Sequence, residues 1–112
     1  MDNHLHILWT NDNLLTSKEM VLMYAKNSLI FEFWEKVTVI IWGATAKLVA
    51  ENEEIQVLVK ESIAKGVHFV ACKACAEHVN AEHKLLALGV EVKYYGKDLT
   101  KLIKEKAHLI TL

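Results

Sequence analysis

The chain has 112 residues, 53% hydrophobic and 24% charged, with thirteen Lys and Arg against fourteen Asp and Glu and a formal net charge of -1. That length supports one core, so a single domain over residues 1–112 is expected, and the apolar content excludes a disordered chain. The balanced charge lacks the basic block that phosphate-driven nucleic-acid binding requires, and the absence of a basic-then-apolar leader or a membrane-length apolar run predicts a soluble, cytoplasmic protein with no membrane partner.

The first β-branched, apolar run, Leu5 to Trp9, reads as a strand and is followed by the polar loop Thr10-Asn11-Asp12-Asn13. Thr16-Ser17-Lys18-Glu19 has capping-box spacing and predicts a helix from Thr16 to about Phe31. The run Leu29 to Trp34 is more apolar than one helix end buries, which suggests contacts between subunits.

A second strand, Val37 to Trp42, leads through Gly43 into a helical region from about Thr45. That region is interrupted near Glu51, where Asn52 can cap a further helix to Lys65. In Ala64-Lys65-Gly66-Val67, as again in Ala87-Leu88-Gly89-Val90, glycine falls at the left-handed position after a helix and valine starts the next strand.

The third strand, Val67 to Ala71, ends at Cys72, with Cys75 about one turn into the helix that follows. The fourth strand, Val90 to Tyr95, precedes a helix with an apolar stripe at Leu99, Leu102 and Ile103, for which Asp98 is the expected cap; the fifth strand is His108 to Leu112. Strands alternating with helices through right-handed crossovers predict an α/β protein, a three-layer α/β/α sandwich around a five-stranded, mainly parallel sheet.

In such a sheet the ligand crevice lies beyond the carboxyl ends of the strands. Trp9, Asn11, Trp42, Cys72 and Cys75 all follow or end strands and share that rim. The two tryptophans either cap the core or wall a pocket, readings that are compatible. The four glycines, at 43, 66, 89 and 96, build neither a Walker loop nor a dinucleotide fingerprint. No serine lies on a strand-to-helix elbow of the kind a hydrolase needs.

The two cysteines admit several readings. At a helix start, backbone N–H groups and the dipole favour thiolate, and Lys73 would add to this if its ammonium turned toward the loop. The alternative is two inert, buried thiols. A thioredoxin-type dithiol is disfavoured because the chain has no proline to face it. Zinc on Cys72, Cys75, His78 and His83 is a further alternative, opposed by the five-residue separation of the histidines on a continuous helix. No metal ligand is therefore assigned. His4, His6 and His68 fall in strands and are expected to be hydrogen-bonded structural residues; His78, three positions after Cys75, is best placed to tune a thiol.

The five alternating strands, Trp42-Gly43 closing the second, a cysteine ending the third before a short helix, and Leu88-Gly89-Val90 together resemble the DsrE/DsrF-like family over nearly the whole chain. The resemblance implies a homo-oligomer, trimer or hexamer. In its sulfur-relay branch it implies a cysteine, corresponding to Cys72, that carries persulfide sulfur between donor and acceptor proteins without a cofactor. Cys72 and Cys75 are then the catalytic pair of a sulfurtransferase or sulfur carrier, with Trp9, Asn11 and Trp42 shaping the substrate pocket. Relay members carry an arginine-glycine pair soon after that cysteine, where this chain has Glu77-His78-Val79-Asn80 and the additional Cys75. The rival expectation is a non-enzymatic, oligomeric binding module for a small ligand or partner, with passive cysteines.

Overall fold

The computed structural model describes residues 3–112; Met1 and Asp2, the start of the expected domain 1–112, lie outside the described residues. Five strands form one sheet: β1 (His4–Trp9), β2 (Lys36–Ile41), β3 (His68–Cys72), β4 (Glu91–Lys93) and β5 (His108–Thr111). All neighbours pair in parallel, in the order β4-β3-β2-β1-β5.

That order determines the layers. From β1 to β4 each connection steps the same way across the sheet, so right-handed crossovers place their helices on one face. These are α1 (Leu14–Thr16), a π-helical segment (Ser17–Leu22) and α2 (Met23–Ile30); then α3 (Ala44–Glu51) and α4 (Glu53–Ala64); then α5 (Lys73–His78) and α6 (Glu82–Leu88). The last connection runs back from the β4 edge to the β5 edge and puts α7 (Gly96–Lys104) on the opposite face. The expected three-layer α/β/α sandwich is the fold.

Strand alternation gives each layer its own core. Ile7, Val39 and Phe69 point to the first face, where Val21, Val49, Val59 and Leu85 of the helices meet them. Ile40 and Val70 point to the second, where α7 presents Leu99 and Leu102 with Tyr95 and Trp42 beside them. The second face also carries a polar row, with Thr38 buried at its centre. His4 Nε2 lies 2.7 Å from Thr38 Oγ1, Thr38 Oγ1 lies 3.3 Å from His68 Nδ1, and His68 Nε2 lies 3.3 Å from Glu91 Oε1. His4 and His68 are thus the hydrogen-bonded strand residues expected from their positions.

Local sequence explains most boundaries. Asn52 caps α4, its Oδ1 accepting from the Ile55 amide at 2.9 Å, and Gly66 and Gly89 take φ of 103° and 97° after their helices, as expected. Two caps differ from expectation. The first helical stretch starts at Leu14, because Asn13 Oδ1 already accepts from the Thr16 amide at 2.9 Å; Thr16 is helical and makes no cap. Asp98 sits in the first turn of α7 rather than at its cap, held by an ion pair to Lys93 at 3.6 Å. No helix among the described residues is long and apolar enough to cross a membrane.

Phe69 is 1% exposed at the sheet centre, whereas Phe31 is 62% exposed. Phe69→Ala is expected to lower unfolding free energy by about 3–5 kcal/mol. Phe31→Ala should change it by no more than about 0.5 kcal/mol. Urea titration checks both; equal losses would contradict this placement of the core.

Candidate functional site

The site begins with a turn. At the end of β2, Gly43 has φ 66° and ψ -128°, the first central position of a type II′ turn, which only glycine occupies without strain. Thr45 holds that turn. Its Oγ1 accepts from the Trp42 amide at 3.0 Å, and its hydroxyl donates to the Trp9 carbonyl at 2.8 Å, with the Trp42 carbonyl also within 3.0 Å. The fully buried hydroxyl thereby ties the carboxyl ends of β1 and β2 together at the start of α3.

A cavity of about 570 Å³ opens beside this turn. One wall is a stripe of α3, Ala44, Lys47, Leu48 and Glu51, at the spacing that aligns side chains on one helix face. The opposite wall is the matching stripe of α5 and its end, Cys75, His78 and Val79, and Asp12 reaches in from the loop after β1. The cavity is therefore a groove that runs along α3 from its first turn to its end and faces the second half of α5, opening beside the carboxyl ends of β1 and β2, where a parallel α/β fold places its ligand sites.

Cys75 is the sulfur of this groove. Burial is the largest influence on its thiol and pushes its pKa up; the amides of Gly43 and of Cys75 itself pull it down, and the neighbouring Cys72 thiol pushes it up again. The thiolate favoured by a helix start is thus opposed by desolvation, and near neutral pH Cys75 is a thiol that must lose its proton to react. Neither cysteine is in a disulfide.

The other residues singled out from the sequence are distributed as follows. Cys72, given the leading role, is 6% exposed at the N-cap of α5 and lies behind Cys75 rather than on the groove wall. Trp9 is fully buried; its indole N–H donates to the Asn11 carbonyl at 3.1 Å and to Ser17 Oγ at 3.2 Å, so it caps the core and does not wall the groove. Asn11 is exposed, its Oδ1 accepting from the Asn13 amide at 2.8 Å, and Trp42 packs with α7 on the other face of the sheet. Lys73 turns away from the loop, to Glu82 at 3.7 Å and over the Tyr94 ring at 5.6 Å.

His78 does join Cys75 in the groove. The helix breaks after it, with Asn80 at φ 54°, so His78 and His83 lie on different helices. No group of three or more His, Cys, Asp or Glu able to hold a metal occurs among the described residues. The groove residues outside the cysteine segment, Asp12, Lys47 and Glu51 above all, carry no motif; only the rule that sites lie beyond strand ends leads toward them.

The sequence matches no protein-family model and no curated protein. A solved structure of a conserved protein of unknown function from Bacteroides thetaiotaomicron, BT1422, is 34% identical, with a TM-score of 0.96 over 98% of this chain and 95% of that one. The chain belongs to the family of that protein. MTH1491 of Methanobacterium thermoautotrophicum, also a protein of unknown function, superposes with a TM-score of 0.74 at 18% identity, over 99% of this chain and 100% of that one, and so shares the fold.

For this member of the BT1422 family the groove geometry has a measurable consequence. An added Cβ at Gly43 meets nothing within 4 Å, so Gly43→Ala fits in space but disfavours the turn, turning the Gly43 amide from Cys75. Its loss raises the Cys75 pKa, so alkylation of that thiol should begin at higher pH than in the parent chain. Cys72→Ala removes an influence that raises the pKa and should move the onset down. Alkylation rates against pH, read by mass spectrometry, check both; an unmoved profile in both variants would contradict the arrangement.

Proposed function

We propose that the protein is a sulfur carrier in which Cys75, rather than Cys72, takes up persulfide sulfur. The observation that carries this reading is the placement of the Cys75 thiol on the groove wall, against the Gly43 amide and with a second thiol behind it. The resemblance to the DsrE/DsrF-like family points to the same chemistry.

Loading is a transfer of one neutral sulfur. Cys75 gives its proton to the imidazole of His78, which shares its groove wall, as its Sγ attacks the outer sulfur of a donor persulfide, R–S–SH. The S–S bond of the donor breaks, the donor sulfur leaves with the bonding electron pair and takes the proton from His78, and the products are Cys75–S–SH and R–SH. The Gly43 amide is placed to hold the terminal sulfur when it ionises. Transfer to an acceptor thiol repeats the step in reverse.

Cys72 supplies a second outcome. Its thiolate can attack the inner sulfur of Cys75–S–SH, expelling hydrosulfide and leaving a Cys72–Cys75 disulfide, so the two electrons that form sulfide come from oxidation of the thiol pair. A reducing compartment such as the cytoplasm keeps that pair open for the next cycle.

Incubation with a polysulfide donor followed by intact-mass measurement tests the proposal. A gain of one sulfur atom is expected, retained and longer-lived in Cys72→Ser and absent in Cys75→Ser. No adduct on the parent chain would leave a binding module with passive cysteines.

The reading includes self-association. Ile30, Phe31 and Phe33 are 45%, 62% and 58% exposed at one corner, with the two phenyl rings 5.9 Å apart. Such a patch is characteristic of a protein contact. Light scattering should give a trimer or hexamer for the parent chain and a smaller species for the Phe31→Ser, Phe33→Ser double variant; a monomeric parent would overturn this part.

A further inference from the structure

The groove is far larger than one sulfur atom requires, and its charges are arranged without partners. Lys47 lies on the α3 stripe, with Glu51 one turn further along the same helix and Asp12 on the loop after β1. Among the described residues none of the three forms an ion pair, whereas Glu54 and Glu61 of α4, Glu91 and Lys93 of β4 and Asp98 of α7 each do. The order on α3 contributes: lysine N-terminal to glutamate at a four-residue spacing is the weaker orientation of that pair. The groove therefore offers one ammonium, two carboxylates and the His78 imidazole around an apolar strip of Ala44, Leu48 and Val79.

We propose that this groove binds a small thiol bearing an amino-acid-like zwitterion, with its sulfur directed to Cys75. Lys47 receives the ligand carboxylate, Glu51 and Asp12 receive its ammonium, and the ligand's methylene lies on the apolar strip. A neutral thiol would leave these charges unused. A purely anionic donor, such as inorganic polysulfide, would meet Lys47 but also two carboxylates. The identification of the ligand as a thiol rests on the sulfur-carrier reading; the recognition of its charged end rests on the groove alone.

The test separates the two. Cysteine and glutathione are titrated into the Cys75→Ser protein, where no sulfur can move, and amide chemical shifts are followed by NMR, with 2-mercaptoethanol as the uncharged control. Shifts confined to α3, α5 and the loop after β1 are expected for at least one zwitterion, with none for the control. Lys47→Met and Glu51→Gln, introduced singly into that protein, should each weaken binding about fivefold, as loss of an exposed charge-assisted contact does. Added salt should weaken it in parallel. Absence of shifts with both zwitterions, or equal affinity for the neutral thiol, overturns the inference. Sulfur loading of the parent chain from polysulfide is read in the same series, so failure of zwitterion binding and failure of the carrier reading are seen independently.

Discussion

The Thr45 hydroxyl is the contact on which the site depends. It is buried, it bonds the backbone of both Trp9 and Trp42, and it thereby joins two strand ends that each lead into a different helix. Buried backbone groups must find partners, and at this strand end the last rung of the ladder, the Trp42 amide to the Trp9 carbonyl at 3.1 Å, is one the Thr45 hydroxyl shares. Thr45 reinforces that rung beside the turn at Gly43, whose amide favours the Cys75 anion. The chemistry of the thiol is in this sense a by-product of closing the sheet.

Topology explains why the site lies on one side only. Three successive crossovers stack their helices on the same face, so α3 and α5 stand near each other and leave a groove along the length of α3 and the second half of α5. The lone α7 on the other face has no neighbour with which to form one. Burial then acts on the groove in two directions. It brings Cys75 close to amides that favour its anion and removes water that would favour it more, and the second effect is the larger. A thiol held in that state reacts only once a base takes its proton.

Much of the fold was legible because each layer wrote a separate pattern. The five β-branched runs, the glycines after α4 and α6, and the Asn52 cap each follow from backbone or side-chain preferences that tertiary contacts did not override. The cap at Thr16 is taken by Asn13, one of several capping-type residues that stand close together there, and Asp98 falls inside a helix that starts at Gly96 with no side-chain cap. At the site, the sequence located the rim and both cysteines but not which of them faces outward. Three positions on a helix start separate a buried sulfur from a half-buried one on the groove wall, and strand alternation at Cys72 depends on where β3 stops. Trp9 ends β1 as expected and Trp42 follows β2 by one residue, yet they lie on opposite faces and neither lines the groove.

The account stands on the pull of the Gly43 amide on the Cys75 thiol. A pH titration by NMR on protein carrying ¹³C-labelled cysteine and ¹⁵N-labelled glycine observes it directly. The Gly43 amide is predicted to shift with the same midpoint as the Cys75 β-carbon, and that midpoint to lie above the ordinary range for cysteine. A Gly43 amide that stays still while Cys75 titrates would contradict the account.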